Sequence, residues 1–260
     1  MLRSRVIPCL LLHNKGLVKS VKFKDYKYIG DPLNAVKIFN EKEVDEIMFI
    51  DIDATSNKNE PDYELIKKIA NECRMPHCYG GGIKTAKQAQ EIIKLGAEKI
   101  ALSSAVIENP KIINDIAEII GRQSVVVVLD IKKTLYGSYK IYTHNAKNKV
   151  NYNLNKFLQI LEEIGIGELV INSIDCDGMM NGYDIDLCDI IREKVSCPLT
   201  FLGGASSQED ILRLIARYKI IGAGAGSLFV FKGIYKAVLI SYLDQDNRDK
   251  IFKIANKGYM

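Results

Sequence analysis

The sequence predicts a single (β/α)8 TIM barrel with a twofold half-barrel repeat, on three observations. Eight short β-branched or apolar runs alternate with stretches of helical apolar spacing along the 260 residues. Three segments of the first half return in altered form about 120 residues later. The composition, 47% hydrophobic and 26% charged with a mean hydropathy of −0.02, is that of an ordinary globular chain. A chain of this length buries about three-quarters of its unfolded surface, and this balance excludes disorder, collagen and fibrous repeats.

Taken in order, strands are expected over residues 5–11, 46–51, 77–79, 99–102, 124–130, 168–172, 199–202 and 220–223. Helices are expected over 34–40, 62–73, 85–95, 110–120, 154–164, 186–195, 208–217 and 233–242. An open doubly wound sheet would show fewer strands and a Gly-rich turn after its first one, and residues 10–16 offer none. The repeat pairs Phe49-Ile50-Asp51-Ile52-Asp53 with Ser173-Ile174-Asp175-Cys176-Asp177, Gly80-Gly81-Gly82 with Gly203-Gly204-Ala205, and Leu102-Ser103-Ser104 with Ala225-Gly226-Ser227. One barrel domain over 1–260, with halves at about 1–122 and 123–245, follows, since no linker or low-complexity segment divides the chain.

The first apolar stretch is short and interrupted by Pro8, no small-residue cleavage site follows it, and residues 6–12 read as a buried strand. No apolar run approaches the roughly 18 residues of a spanning helix, so a cytoplasmic protein that does not enter the membrane is expected. The six cysteines are scattered with no CxxC pair and read as packing residues of a reducing compartment. His13, His77 and His144 are too dispersed for a metal site, and neither metal nor cofactor is expected. A net charge of +4 is too mild to argue for nucleic acid. The excess is local: Lys15, Lys19, Lys22, Lys24 and Lys27 crowd the loop after the first strand.

In such barrels the chemistry sits at the C-terminal ends of the strands. Each repeated glycine segment falls just past a strand, where backbone amides can approach a ligand. Gly81, Gly82, Ser103 and Ser104 form one expected phosphate cradle, and Gly204, Gly226 and Ser227 the other. Two cradles across one mouth imply a phosphorylated small molecule carrying a phosphate at each end. The acids expected near the mouth are Asp51, Asp53, Asp130, Asp175 and Asp177. Asp130 ends the run Val125-Val126-Val127-Val128-Leu129, where partial burial would raise its pKa towards that of a general acid; the alternative is a turn or cap acid. No serine has the His and Asp neighbours of a hydrolase triad.

As a set, Arg5-Val6-Ile7-Pro8-Cys9-Leu10, Gly30-Asp31-Pro32, Gly80-Gly81-Gly82-Ile83, Glu108-Asn109-Pro110, Ser173-Ile174-Asp175, Asp177-Gly178 and Gly182-Tyr183-Asp184 resemble HisF, the cyclase subunit of imidazole glycerol phosphate synthase in histidine biosynthesis. The likeness runs over nearly the whole chain. It implies a lyase-type cyclase that pairs with a HisH-like glutaminase as a heterodimer. Ammonia would cross the barrel to a doubly phosphorylated ribulosyl-aminoimidazole, giving imidazole glycerol phosphate and an aminoimidazole carboxamide ribotide. The resemblance also implies an ammonia gate at Arg5, Glu46, Lys99 and Glu168, and a substrate-closing loop carrying Lys19.

One family position departs. Of the two aspartates the family uses, at the ends of strands one and five, Asp130 matches the second, while the first is Leu11. Leucine transfers no proton, and such groups each contribute about 10²–10⁴-fold. The combination resembles a HisF-like paralogue branch, WbuZ-type, that serves surface-polysaccharide biosynthesis by passing ammonia to an amidotransferase that builds an amidino group on a sugar. Three readings stand: an ammonia-channelling subunit with another acceptor, a working histidine-pathway cyclase, and a non-catalytic scaffold for the glutaminase.

Overall fold

The computed structural model describes residues 3–256; the outermost residues of the expected 1–260 domain lie outside the described residues. β1 (Arg5–His13) runs into a hairpin of β2 (Gly16–Val21) and β3 (Lys24–Gly30), followed by α1 (Pro32–Glu41). β4 (Ile47–Asp51), α2 (Tyr63–Glu72), β5 (His77–Gly80), α3 (Ala86–Lys94), β6 (Lys99–Leu102), α4 (Ser104–Glu108) and α5 (Ile112–Ile120) complete the first half. The second opens with β7 (Val125–Lys133) and its antiparallel extension β8 (Tyr139–Thr143) and β9 (Asn148–Lys149). It continues through α6 (Leu154–Ile164), β10 (Glu168–Ser173), α7 (Ile185–Arg192), β11 (Leu199–Leu202), α8 (Gln208–Tyr218), β12 (Gly222–Ala225) and α9 (Ser227–Val230). A ribbon of β13 (Phe231–Lys232) and β14 (Ala237–Val238) then leads to α10 (Gln245–Asn256).

Strands β1, β4, β5, β6, β7, β10, β11 and β12 pair in parallel in that order, and β12 pairs back onto β1. This closes an eight-stranded barrel with helices between the strands. Strand alternation divides the core in two. Leu10, Leu12, Val127 and Leu129 point outward into the layer shared with the helices, whereas Ile7, Cys9, Val126 and Val128 fill the barrel interior. By the same parity Leu11 and Asp130 face inward at the tops of β1 and β7.

Local chemistry sets the helix starts. Asp31 Oδ1 accepts the Asn34 amide at 3.0 Å, with Pro32 in the first turn of α1, a position where its missing N–H costs nothing. Thr85 and Gln88 form a reciprocal capping box at α3, and Ser207 caps α8 through the Asp210 amide. Such caps typically stabilise by about 1 kcal/mol each.

Four expectations are corrected. The helix expected over 233–242 is absent. Gly233, at φ +73°, turns the chain into the β13–β14 ribbon, and Leu239 and Ser241 donate to the Val230 and Phe229 carbonyls as the chain returns along α9. The closing helix is α10, about a dozen residues later. The strand expected over 220–223 is β12, Gly222–Ala225: Ile220 and Ile221 drew the expectation forward, but packing beside Thr200 leaves no room for a Cβ at Gly222. The basic loop after the first strand is a β-hairpin, with Leu11 paired to Val18 and Lys19 to Lys27. Strand five runs past Asp130 to Lys133 and folds back on β8.

Candidate functional site

At the N-terminal end of the barrel, Arg5, Glu46, Lys99 and Glu168 meet in a closed ring. Arg5 Nη1 lies 2.5 Å from Glu46 Oε2 and Nη2 lies 2.8 Å from Glu168 Oε1. Lys99 Nζ bridges the same two acids at 2.8 and 2.9 Å, and the Thr200 hydroxyl donates to Glu168 at 2.5 Å. Burial opposes the charges of Arg5, Lys99 and Glu168, but their partners outweigh it. The Arg5 and Lys99 pKa values rise and that of Glu168 falls. Inside the ring the barrel is filled by apolar and thiol side chains, including Ile7, Cys9, Met48, Cys78, Val126 and Val170.

At the other end a single pocket brings together Gly81, Gly82, Ser103, Ser104, Gly204, Gly226, Ser227, Asp51, Asp130, Lys19 and Leu11. The glycine loops are built for close approach. Gly81, at φ +127°, would place a Cβ 2.5 Å from the Asp51 carbonyl oxygen, and Gly204, at φ +101°, sits against the Gly182 carbonyl. Ser104 and Ser227 open α4 and α9, whose first two amides have no partner within the helix, while the Val106 and Phe229 amides donate to the Ser103 and Gly226 carbonyls. The buried Ser103 hydroxyl has no partner among the described residues, so it is available to an incoming ligand. Lys19 is buried, its ammonium donating to the Cys9 carbonyl oxygen. Desolvation lowers its pKa against the opposing pull of Asp177.

The acids divide by environment. Burial pushes the Asp130 carboxyl up to about 7, partly offset by the Asn172 amide that donates to it at 3.0 Å. Asp51 is also raised by burial, against the Ala54 and Asp53 amides that bond its Oδ1. Asp177 lines the pocket and accepts from the Ser20 hydroxyl at 2.7 Å, pinning the β2–β3 hairpin. Asp175, in the loop just after β10 at the mouth end, does not line the pocket, and its Oδ2 accepts the Lys133 amide at 2.8 Å, holding the β7–β8 hairpin. Its carboxylate therefore serves the loops. Asp53 is likewise taken up by His13 Nδ1, at 2.7 Å, and by the Asn14 amide. His13 stays outside the pocket lining.

Sequence reasoning missed His144 and Asn145. Both line the pocket from the tip after β8, and Asn145 reaches across to the Ile52 carbonyl and the Ser56 hydroxyl. The alternation Tyr139-Lys140-Ile141-Tyr142-Thr143 after Gly137 was the available signal for that strand. It also missed Asn172, whose amide orients Asp130. Among the described residues no cluster of three His, Cys, Asp or Glu side chains is arranged to hold a metal ion, and no helix is long and apolar enough to cross a membrane.

Residues 5–236 match the family model described as "Histidine biosynthesis protein". The chain is similar to the "Putative imidazole glycerol phosphate synthase subunit hisF3" of Vibrio vulnificus (strain YJ016), at 56% identity over 255 residues, 98% of each chain. It is 50% identical to a Leptospira interrogans protein named "Putative imidazole glycerol phosphate synthase subunit HisF", over 97% of this chain and 100% of the relative. Against the "Imidazole glycerol phosphate synthase subunit HisF" of Hydrogenobaculum sp. (strain Y04AAS1) the identity is 34%, over 95% of this chain and 98% of that one.

Proposed function

The chain belongs to the histidine biosynthesis protein family, as a HisF-like subunit, and from that premise we propose that it is an ammonia-channelling barrel whose acceptor lies outside histidine synthesis. A HisH-like glutaminase docks at the ring face, and ammonia passes the ring of Arg5, Glu46, Lys99 and Glu168 into the apolar interior. It leaves at the mouth for a phosphorylated substrate or a partner amidotransferase that builds an amidino group on a sugar of a surface polysaccharide.

The observation that carries this reading is the pairing of an intact ring with a missing acid. The inward position at the top of β1 is Leu11, while its counterpart on β7 is Asp130. A cyclisation that needs a proton donor and a proton acceptor on opposite sides of one ligand loses one of them. What remains is suited to transport. The ring's two cations and two carboxylates are bonded to each other, so they present no free charge to a neutral permeant. The interior offers that permeant few polar partners, and Asp130 can exchange a proton near neutral pH at the exit.

The phosphate cradles and Lys19 give the second reading, a working histidine-pathway cyclase, its support. Ammonium-driven turnover of the doubly phosphorylated ribulosyl-aminoimidazole, without glutaminase, separates the two. The expected rate is at least a hundredfold below that of a histidine-pathway cyclase, and Leu11→Asp is expected to raise it by about 10²–10⁴-fold. A wild-type rate comparable to the cyclase would overturn the proposal.

A further inference from the structure

Soluble folds scatter single apolar side chains over their surfaces, and contiguous apolar patches mark contacts. Here, Ile119 and Tyr152 apart, the exposed large apolar residues gather at the mouth end of the barrel. Leu135 and Tyr136, at the turn between β7 and β8, are 103% and 98% exposed, and Ile234 and Tyr235, at the turn between β13 and β14, are each 88% exposed. Tyr28 and Met179 add to the same rim. All lie in the connections that follow β1, β7, β10 and β12, along the arc of the pocket mouth that runs from β7 through β10, β11 and β12 to β1.

These connections are tied together. Lys27 donates to the Lys236 carbonyl at 2.7 Å, Lys236 to the Gly178 carbonyl at 3.3 Å, and the Lys133 amide to Asp175 at 2.8 Å. The apolar tips therefore stand on a braced rim. The β13–β14 ribbon is extra to the repeat. In the first half α4 passes to α5 within a few residues, whereas in the second the ribbon and its return stand between α9 and α10.

The same rim is strongly basic. Lys22, Lys24, Lys27, Lys132, Lys133 and Lys232 are all exposed on it, although the whole chain carries a net charge of only +4. Exposed Asp25 and Asp186, the latter 3.5 Å from the Lys133 ammonium, offset only part of this excess, and apolar anchors among predominantly basic side chains suit a protein-docking face. We infer that this rim docks a protein with an acidic face that carries the ammonia acceptor, so that what leaves the pocket is handed over without entering solvent. The inference rests on the channelling function proposed above and adds where the receiving partner sits.

The photocrosslinking amino acid p-benzoylphenylalanine, placed at Tyr136 or at Tyr235 of the full chain in the producing cell, identifies what covers the rim. Both positions are expected to capture one protein, an amidating enzyme with an acidic surface. With that enzyme, the glutaminase and the barrel purified, the combined variant Leu135→Ser, Tyr136→Ser, Ile234→Ser and Tyr235→Ser is expected to lower glutamine-driven amidation at least tenfold. Ammonium-driven amidation and glutaminase binding should stay unchanged, because these side chains touch neither the pocket floor nor the ring. Capture of lipid or nucleic acid, of nothing, or of a protein whose reaction consumes no ammonia would overturn the inference, as would undiminished glutamine-driven amidation by the variant. Failure of the channelling reading looks different: the wild-type barrel would not bind the glutaminase, or would itself turn over the histidine intermediate, whatever the rim captures.

Discussion

At the top of β7 the inward carboxyl of Asp130 has Asn172 beside it in register on β10, and the Asn172 amide donates to it. At the matching point of β1, Leu11 has Ile50 beside it in register on β4. The two half-barrels thus differ in a residue and in its support: the second half holds an acid and the amide that orients it, the first a pair of aliphatic side chains. The asymmetry is a property of two neighbouring strands, so restoring one carboxylate does not restore its surroundings.

This sharpens the largest effect expected. The gain from Leu11→Asp should come with a pH profile displaced upward, because Ile50 offers the new carboxyl no hydrogen bond and burial disfavours its charge. Adding Ile50→Asn should move the profile back down. An unshifted profile for the single variant would break the comparison.

The ring at the other end joins the halves unequally, with Arg5, Glu46 and Lys99 from the first and Glu168 from the second. Glu168→Ala leaves two cations sharing Glu46 and frees the Thr200 hydroxyl. The expected cost is about 3–5 kcal/mol in urea unfolding, and a loss below about 1 kcal/mol would show that the first half holds the ring alone.

Asp130→Asn should act with the opposite sign. A carboxyl whose folded pKa lies near 7, against an ordinary value of 3.8, binds its proton more tightly when folded. Its contribution to stability is full below the ordinary value and is lost as pH rises towards 7. The amide variant should therefore match the wild type below about pH 4 and exceed it by up to about 4 kcal/mol at pH 8, as thermal unfolding across roughly pH 3–8 would show. The smallest effects are expected at the twofold-related caps, where Thr85→Ala and Ser207→Ala should each cost about 1 kcal/mol. Thr85 should cost more, because its capping box is reciprocal.

Much of this was legible in the sequence because strand and helix periods are local. Asp130 is legible as a mouth acid because it ends an unbroken apolar run at the C-terminal end of a strand, and the repeated glycines mark two loops that the fold brings to one pocket. The β13–β14 ribbon was not legible, because Ile234, Val238 and Ser241 fall at helical spacing and only the backbone at Gly233 decides otherwise. Asp175 and Asp177 were not separable in the sequence, because only two steps along one loop part a residue that braces a hairpin from one that faces the pocket. His144 was passed over because its importance comes from the turn after β8, whose strand pairs with residues beyond the expected end of β7.

Lys19 carries a last consequence. Its ammonium is held by the Cys9 carbonyl, against the face of Gly226 where any larger residue would displace it. A free lysine gives up roughly 2 kcal/mol of rotamer freedom when it is fixed. Here that ordering is completed as the hairpin folds, so an anion reaching the second glycine loop meets a cation whose entropy has already been surrendered. Gly226 is in this sense a reserved space: its missing side chain keeps the countercharge in place before any ligand arrives.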